Sequence, residues 1–139
     1  MKSEFYSEII PNYFLGSWHS TLPRTLENLK IKEVFHFGFE VDDKLEDVEY
    51  HYFDLEDNSQ SLSYFKENLD QIHDQIEKRL QQGPVLVASS AGKSRSVTVT
   101  ISFLIKKLNY TFEEAFALVK MQRPIINPNP TFLRFLKSL

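Results

Sequence analysis

Cysteine is absent from the 139 residues of this chain, which excludes a disulfide framework and any thiolate-bound metal site. That absence favours an intracellular setting. Glycine and proline are scarce, with 4 and 6 copies, and fall where turns are needed, so no linker or low-complexity tract is expected. No apolar run approaches the ~18 residues of a membrane helix, and Met1-Lys2-Ser3-Glu4-Phe5 opens without a signal-peptide pattern, so no membrane partner is expected. A formal net charge of −3 with no cluster of lysine or arginine argues against nucleic acid as a partner.

Hydrophobic residues make up 42% of the sequence, enough for one domain over residues 1–139 with a core of its own. Phe14-Leu15-Gly16 reads as a short first strand ending at a glycine turn. Ser20-Thr21-Leu22-Pro23 reads as a hydroxyl cap and a first-turn proline opening a helix, with Leu22, Leu26 and Leu29 inside. Residues 34–37 and 48–53 are β-branched and aromatic and predict strands. Leu62, Phe65, Leu69, Ile72, Ile76 and Leu80 recur at three- and four-residue steps, predicting a long amphipathic helix closed by Gly83-Pro84.

Val97, Val99, Ile101, Phe103, Leu104, Ile105 and Leu108 leave almost no polar face, as in a centrally buried helix. Thr111 and Glu114 form a capping box for the next helix. Asn129-Pro130 caps and starts the last one, burying Phe132, Phe135 and Leu136. The alternation predicts an α/β fold with a central mixed, mostly parallel sheet flanked by helices.

Residues 85–96 carry the chemistry. A buried strand runs into small residues and then into Arg95 at the mouth of the apolar helix. A loop in that setting aims the main-chain N–H groups of Ser90, Ala91, Gly92, Lys93 and Ser94, with the positive end of the helix dipole, at one point. Arg95 adds a planar, permanently charged fork. A cation at a helix N-terminus is unfavourable unless an anion compensates it, so a phosphate or sulfate in the loop is expected. Lys93 fits ligand steering and plain surface charge equally well. Gly92-Lys93-Ser94 also invites a Walker A reading, but that motif needs glycine where Val87 stands, and no magnesium-binding aspartate follows a second apolar strand.

The same segment resembles the signature loop of the dual-specificity protein phosphatases, H-C-x-x-G-x-x-R-[ST]. Gly92, Arg95 and Ser96 fall on its glycine, arginine and hydroxyl positions. Ala88 stands where the histidine belongs and Ser89 where the nucleophilic cysteine belongs. Tyr13-Phe14-Leu15-Gly16-Ser17 is similar to the family's opening "YLGS" segment, and Arg123-Pro124-Ile125-Ile126-Asn127-Pro128-Asn129 to its closing "RPxIxPN" segment, so the resemblance spans nearly the whole chain.

The resemblance implies a dual-specificity phosphatase fold in which Ser89 holds the nucleophile position, Arg95 grips the phosphate, Ser96 is the hydroxyl that assists turnover and Asp57 is the general acid. It also implies that the chemistry is lost. A helix N-terminus and an arginine lower a thiol's pKa enough to form a thiolate, but they do not deprotonate a serine hydroxyl without an adjacent base.

The expected function is that of an inactive, pseudophosphatase-like member that binds a phosphorylated protein or peptide on serine, threonine or tyrosine without hydrolysing it. An active phosphatase whose His-Cys pair was engineered to Ala-Ser, and a scaffold using another surface, stay open. His19, His36, His51 and His73 have no metal-ligand spacing with a cysteine or a carboxylate pair, so no metal is expected. No cofactor is expected either, and the chain is read as a monomer. Tyr64-Phe65 either edges the phosphate pocket or belongs to the core.

Overall fold

The computed structural model describes residues 3–139. Two N-terminal strands, β1 (Tyr6–Ile10) and β2 (Tyr13–Gly16), are followed by a 3-10 turn (Trp18–Thr21) and α1 (Pro23–Leu29). Strands β3 (Glu33–Phe37) and β4 (Glu49–Phe53) precede the long α2 (Leu62–Leu80). Next come β5 (Val85–Ser89), α3 (Arg95–Leu108), α4 (Phe112–Gln122) and α5 (Pro130–Lys137). One five-stranded sheet runs in the order β1-β2-β5-β3-β4. Only the β1 pairing is antiparallel, so the sheet is mixed and mostly parallel, as the alternation predicted.

The two faces of the sheet are buried unequally. On one, Phe14, Val34, Leu86 and Ala88 meet Leu26 and Ile31 from the α1 side. On the other, Leu15, Phe35, Phe37, Val85 and Val87 meet the inner faces of α2 to α5. Residues Ser96 to Leu104 of α3 are all buried, the hydroxyls included. Those hydroxyls are satisfied inside the helix: Thr98 and Thr100 donate to the carbonyls four residues back, and Ser102 donates to Val99 O. Leu108, expected inside, is 41% exposed because the helix has run past the core by then.

Two details differ from the sequence reading. Strand β1 precedes the strand expected to be first; its half-buried edge position leaves little alternation to read. Ser20 and Thr21 do not cap α1. Their hydroxyls donate to Ser17 O and Trp18 O within the 3-10 turn, and Leu22 is the N-cap residue ahead of Pro23. The Thr111–Glu114 capping box and the Asn129 cap on Phe132 N are both formed. Phe65, Phe132 and Leu136 are core residues, with Phe135 packed partly buried against them.

Two histidines sit in this interior. His73 is 1% exposed. Its Nε2 lies 2.9 Å from Ser102 Oγ; that hydroxyl gives its own hydrogen to Val99 O, so the ring nitrogen is the donor. Burial pushes the pKa of His73, and likewise of His36, down to about 4 from the ordinary 6.5. Both are neutral in the fold and gain a proton only on unfolding. Their contribution is complete above pH 6.5 and is lost as the pH falls toward 4. Unfolding free energies from urea titrations at pH 7 and pH 5 should therefore differ by about 1–2 kcal/mol per histidine, with the acid side weaker. His73→Gln should flatten the profile; an unchanged slope in that variant would contradict the assignment.

Candidate functional site

The segment between β5 and α3 leaves the carboxyl end of the central strand, where an open parallel sheet presents its ligands. Its main chain is held carbonyl by carbonyl, one from within the loop and five from outside it; the inner bond uses Gly92 N, which therefore does not face the cradle as the sequence predicted. Gly92 N donates to Ser89 O, Trp18 N to Ser90 O and Asn127 N to Lys93 O, while Thr98 donates to Ser94 O through both N and Oγ. The carbonyls of Ala91 and Gly92 are taken by Arg123, through Nη2 at 3.3 Å and Nε at 2.8 Å.

Six consecutive carbonyls thus point away from the loop centre, and the amides turn the other way. Among the described residues, the N–H groups of Ala91, Lys93, Ser94 and Arg95 donate to no protein acceptor. Inward main-chain N–H groups at a helix N-terminus have the geometry to accept an anion.

Gly92 makes the turn possible. Its φ is +66°, and a Cβ there would meet Arg123 Nη2 and Gly16 C, both at 2.7 Å. Arg123 is 2% exposed, also donates to Glu4 O, and has its pKa lowered by burial alone. It is the strut beneath the loop and does not face the cavity.

Arg95 occupies the opposite side. Its Nη1 donates to Leu55 O at 2.6 Å, which anchors the guanidinium, and its Nε is buried without a partner. Ser89 is 1% exposed. Its Oγ accepts from Ser96 N at 3.2 Å and lies 2.7 Å from Ser96 Oγ. No imidazole or carboxylate bonds to it, so nothing in the site takes its proton.

Asp57 reaches the loop from the connection between β4 and α2. Its Oδ1 accepts from Ser94 Oγ at 2.6 Å and from Asn129 Nδ2 at 2.8 Å, and Ser94 Oγ in turn accepts from Asn129 N. A cavity of about 190 Å³ lies over the loop, lined by Asp57, Ser89, Ser90, Ala91, Lys93, Ser94, Arg95 and Asn127. All but Asn127 are residues singled out from the sequence. Gly92 lies behind this wall, and Ser96 beneath Ser89. A groove of about 350 Å³ between β4 and α2 holds Tyr64, so of the Tyr64-Phe65 pair neither edges the loop cavity.

The chain matches the family described as "Dual specificity phosphatase, catalytic domain" over residues 13–139. It belongs to the dual-specificity phosphatase family. A "Probable dual specificity protein phosphatase" of Dictyostelium discoideum is 36% identical over 133 residues, covering 95% of this chain and 33% of that protein. The rat "Protein phosphatase Slingshot homolog 3" is 32% identical over 137 residues, covering 95% of this chain and 20% of the relative. This chain therefore spans a third or less of these two curated relatives.

Among solved structures, the human "tyrosine phosphatase-like serine/threonine/tyrosine-interacting protein" superposes with a TM-score of 0.86 at 27% identity, over 98% of this chain and 95% of that one. DUSP15 does so with 0.88 at 25%, over 98% and 87%. No helix among the described residues is long and apolar enough to cross a membrane.

Within this dual-specificity fold, the structure brings Asp57, Ser89, Ser96 and Arg95 to one loop. Sequence reasoning missed the supports. In the sequence Arg123 stands only as part of the closing segment; nothing local says that its guanidinium returns to carbonyls 31 and 32 residues earlier. Asn129 was read as a helix cap, which it is, yet its Nδ2 also fixes Asp57.

The expectation that His51 has no carboxylate pair is corrected. Pairing of Glu33 with Glu49 across β3 and β4 sets both carboxylates against His51 Nε2, at 2.7 and 3.1 Å. Arg79 already occupies Glu33 at 2.8 Å. Burial opposes ionisation of Glu33, but the bonds from Arg79 and His51 outweigh it and lower its pKa, so the cluster is an ion-pair network.

Removing the strut should be costly. Arg123→Met leaves the buried Gly92 carbonyl and the part-buried Ala91 carbonyl unpaired, and Gly92→Ala forces a side chain into occupied space; each should lower stability by about 2–4 kcal/mol. Hydrogen exchange should also accelerate first at residues 90–95. Loop protection equal to the parent's in Arg123→Met would refute the strut assignment.

Proposed function

We propose that this chain is a pseudophosphatase: a phosphatase-fold domain that binds phosphorylated serine, threonine or tyrosine on a partner protein and releases it unhydrolysed. The observation that carries this reading is the pairing of an intact anion cradle with an unactivated nucleophile position. Four free amides and Arg95 surround a cavity whose floor is Ser89, a hydroxyl bonded only to Ser96. Phosphate affinity in such a nest depends on main-chain donors and the guanidinium, none of which needs a thiolate. A neutral hydroxyl also removes the repulsion that an anionic sulfur exerts on a phosphate dianion.

The shallow cavity of about 190 Å³ supports a broad class of phosphorylated side chains. Similarity to a structure titled "tyrosine phosphatase-like serine/threonine/tyrosine-interacting protein" supports the same direction. A reducing, intracellular location and a monomeric state belong to this reading, in keeping with the lack of cysteine.

A phosphopeptide array with each peptide's unphosphorylated twin tests it. Binding should depend on the phosphate, and Arg95→Ala should weaken it by at least about 100-fold, the value of a doubly bonded charged contact. Equal binding of the two twins would instead assign the interaction to a scaffold surface.

Retention of Asp57 and Ser96 at the loop favours a second reading, an active phosphatase altered at positions 88 and 89. The codons of the native gene decide between them. In either case Ser89→Cys with Ala88→His should yield measurable hydrolysis of an aryl phosphate. Asp57→Asn should then lower the rate by about 10²–10⁴-fold for poor leaving groups. A revived loop without turnover would mean that the site lacks more than its sulfur.

A further inference from the structure

Three buried side-chain nitrogens among the described residues have no hydrogen-bond partner: Arg95 Nε and both ring nitrogens of His36. Buried polar atoms are almost always satisfied, so three orphans around one loop mark a functional place. Arg95 belongs to the cradle already described. His36 does not, and no family motif named above contains it.

His36 lies on β3 as the register partner of Ala88 on β5, the residue before Ser89. Partners on neighbouring parallel strands project to the same face, so the ring stands beside the small Ala88 side chain. Both residues are fully buried. Two positions further on, the same face carries Gly38, and a methyl there would meet His36 Nε2 at 3.3 Å and Ser90 Oγ at 3.5 Å. His36 Nε2 and Ser90 Oγ, on the first loop residue, therefore border the same space beside Gly38, which the lack of a side chain there leaves open. Phe39 and Tyr52 close the remaining sides, with ring centroids 5.5 and 5.7 Å away. Burial, and then the charge of Arg95, hold the ring neutral at pH 7, so it presents one donor and one acceptor.

We propose that His36 is the positioning residue of the phosphate loop: from the strand beside β5 its imidazole fills the space left by Ala88 and steadies the Ser90 end of the cradle. The role rests on the phosphate-binding reading above, but the occupancy of that space does not. A second imidazole at position 88 would crowd it. Histidine introduced at position 88 would stand against the His36 ring, so each substitution should depend on the other.

The full chain, its His36→Ala, His36→Asn and Ala88→His variants and the His36→Ala/Ala88→His double variant test this with inorganic sulfate, read by calorimetry and by hydrogen exchange at residues 90–95. His36→Ala should weaken sulfate binding by about tenfold and speed loop exchange, because the space beside Ala88 and Gly38 that its ring fills would be vacated. His36→Asn, which keeps a donor and an acceptor, should recover most of both. Ala88→His alone should weaken binding, and the double variant should restore it, a coupling that simple destabilisation does not produce.

Sulfate affinity and loop exchange unchanged in His36→Ala, or additive effects in the double variant, would overturn the proposal. Failure of the unaltered chain to bind sulfate would overturn the phosphate-binding reading instead, and the exchange data would still judge His36.

Discussion

The peptide bond ties the direction of each carbonyl to the amide that follows it, and the whole site depends on that tie. By binding the carbonyls of Ser90, Gly92, Lys93 and Ser94 from behind, the fold turns the N–H groups of Ala91, Lys93, Ser94 and Arg95 inward. Arg123 does the largest share, because one buried guanidinium serves two successive carbonyls and closes the space that only glycine at position 92 leaves. A charge that would be costly to bury alone is accepted because its donors are spent on backbone oxygens that would otherwise be orphaned.

The two arginines of the site illustrate one residue type in two uses. Arg123 is enclosed and consumed by structure. Arg95 is anchored by a single bond to Leu55 O and keeps donors for a ligand. Asp57 shows the same economy: its Oδ1 joins the β4–α2 connection, the loop residue Ser94 and the start of α5 through Asn129. Binding geometry and catalytic competence are separable here. The carbonyls of Ser90 to Ser94 are held by contacts that involve the side chains of neither Ala88 nor Ser89.

How much of this was legible depended on the range of the interaction involved. Leu62 to Leu80 announced α2 through its repeat, and Thr111 with Glu114 announced the start of α4. The loop was legible because its requirements are local: small residues, one glycine in the left-handed region and an arginine in the first turn of a helix. Strand β1 was not, since an edge strand with one partner shows a weak pattern. The 3-10 turn was misread because Ser20 and Thr21 satisfy neighbouring carbonyls as readily as they would cap a helix.

By itself the sequence determined the α/β class, the position of the phosphate loop, the identity of its charged fork and the loss of the nucleophile, because each follows from residues adjacent in the chain. Only the tertiary structure decided which groups hold that loop open. Arg123, Asn127, Asn129 and Trp18 lie far from it along the chain and reach it through strand register and helix packing. Such contacts form only when distant backbone segments are brought together, and no local periodicity or capping pattern encodes them.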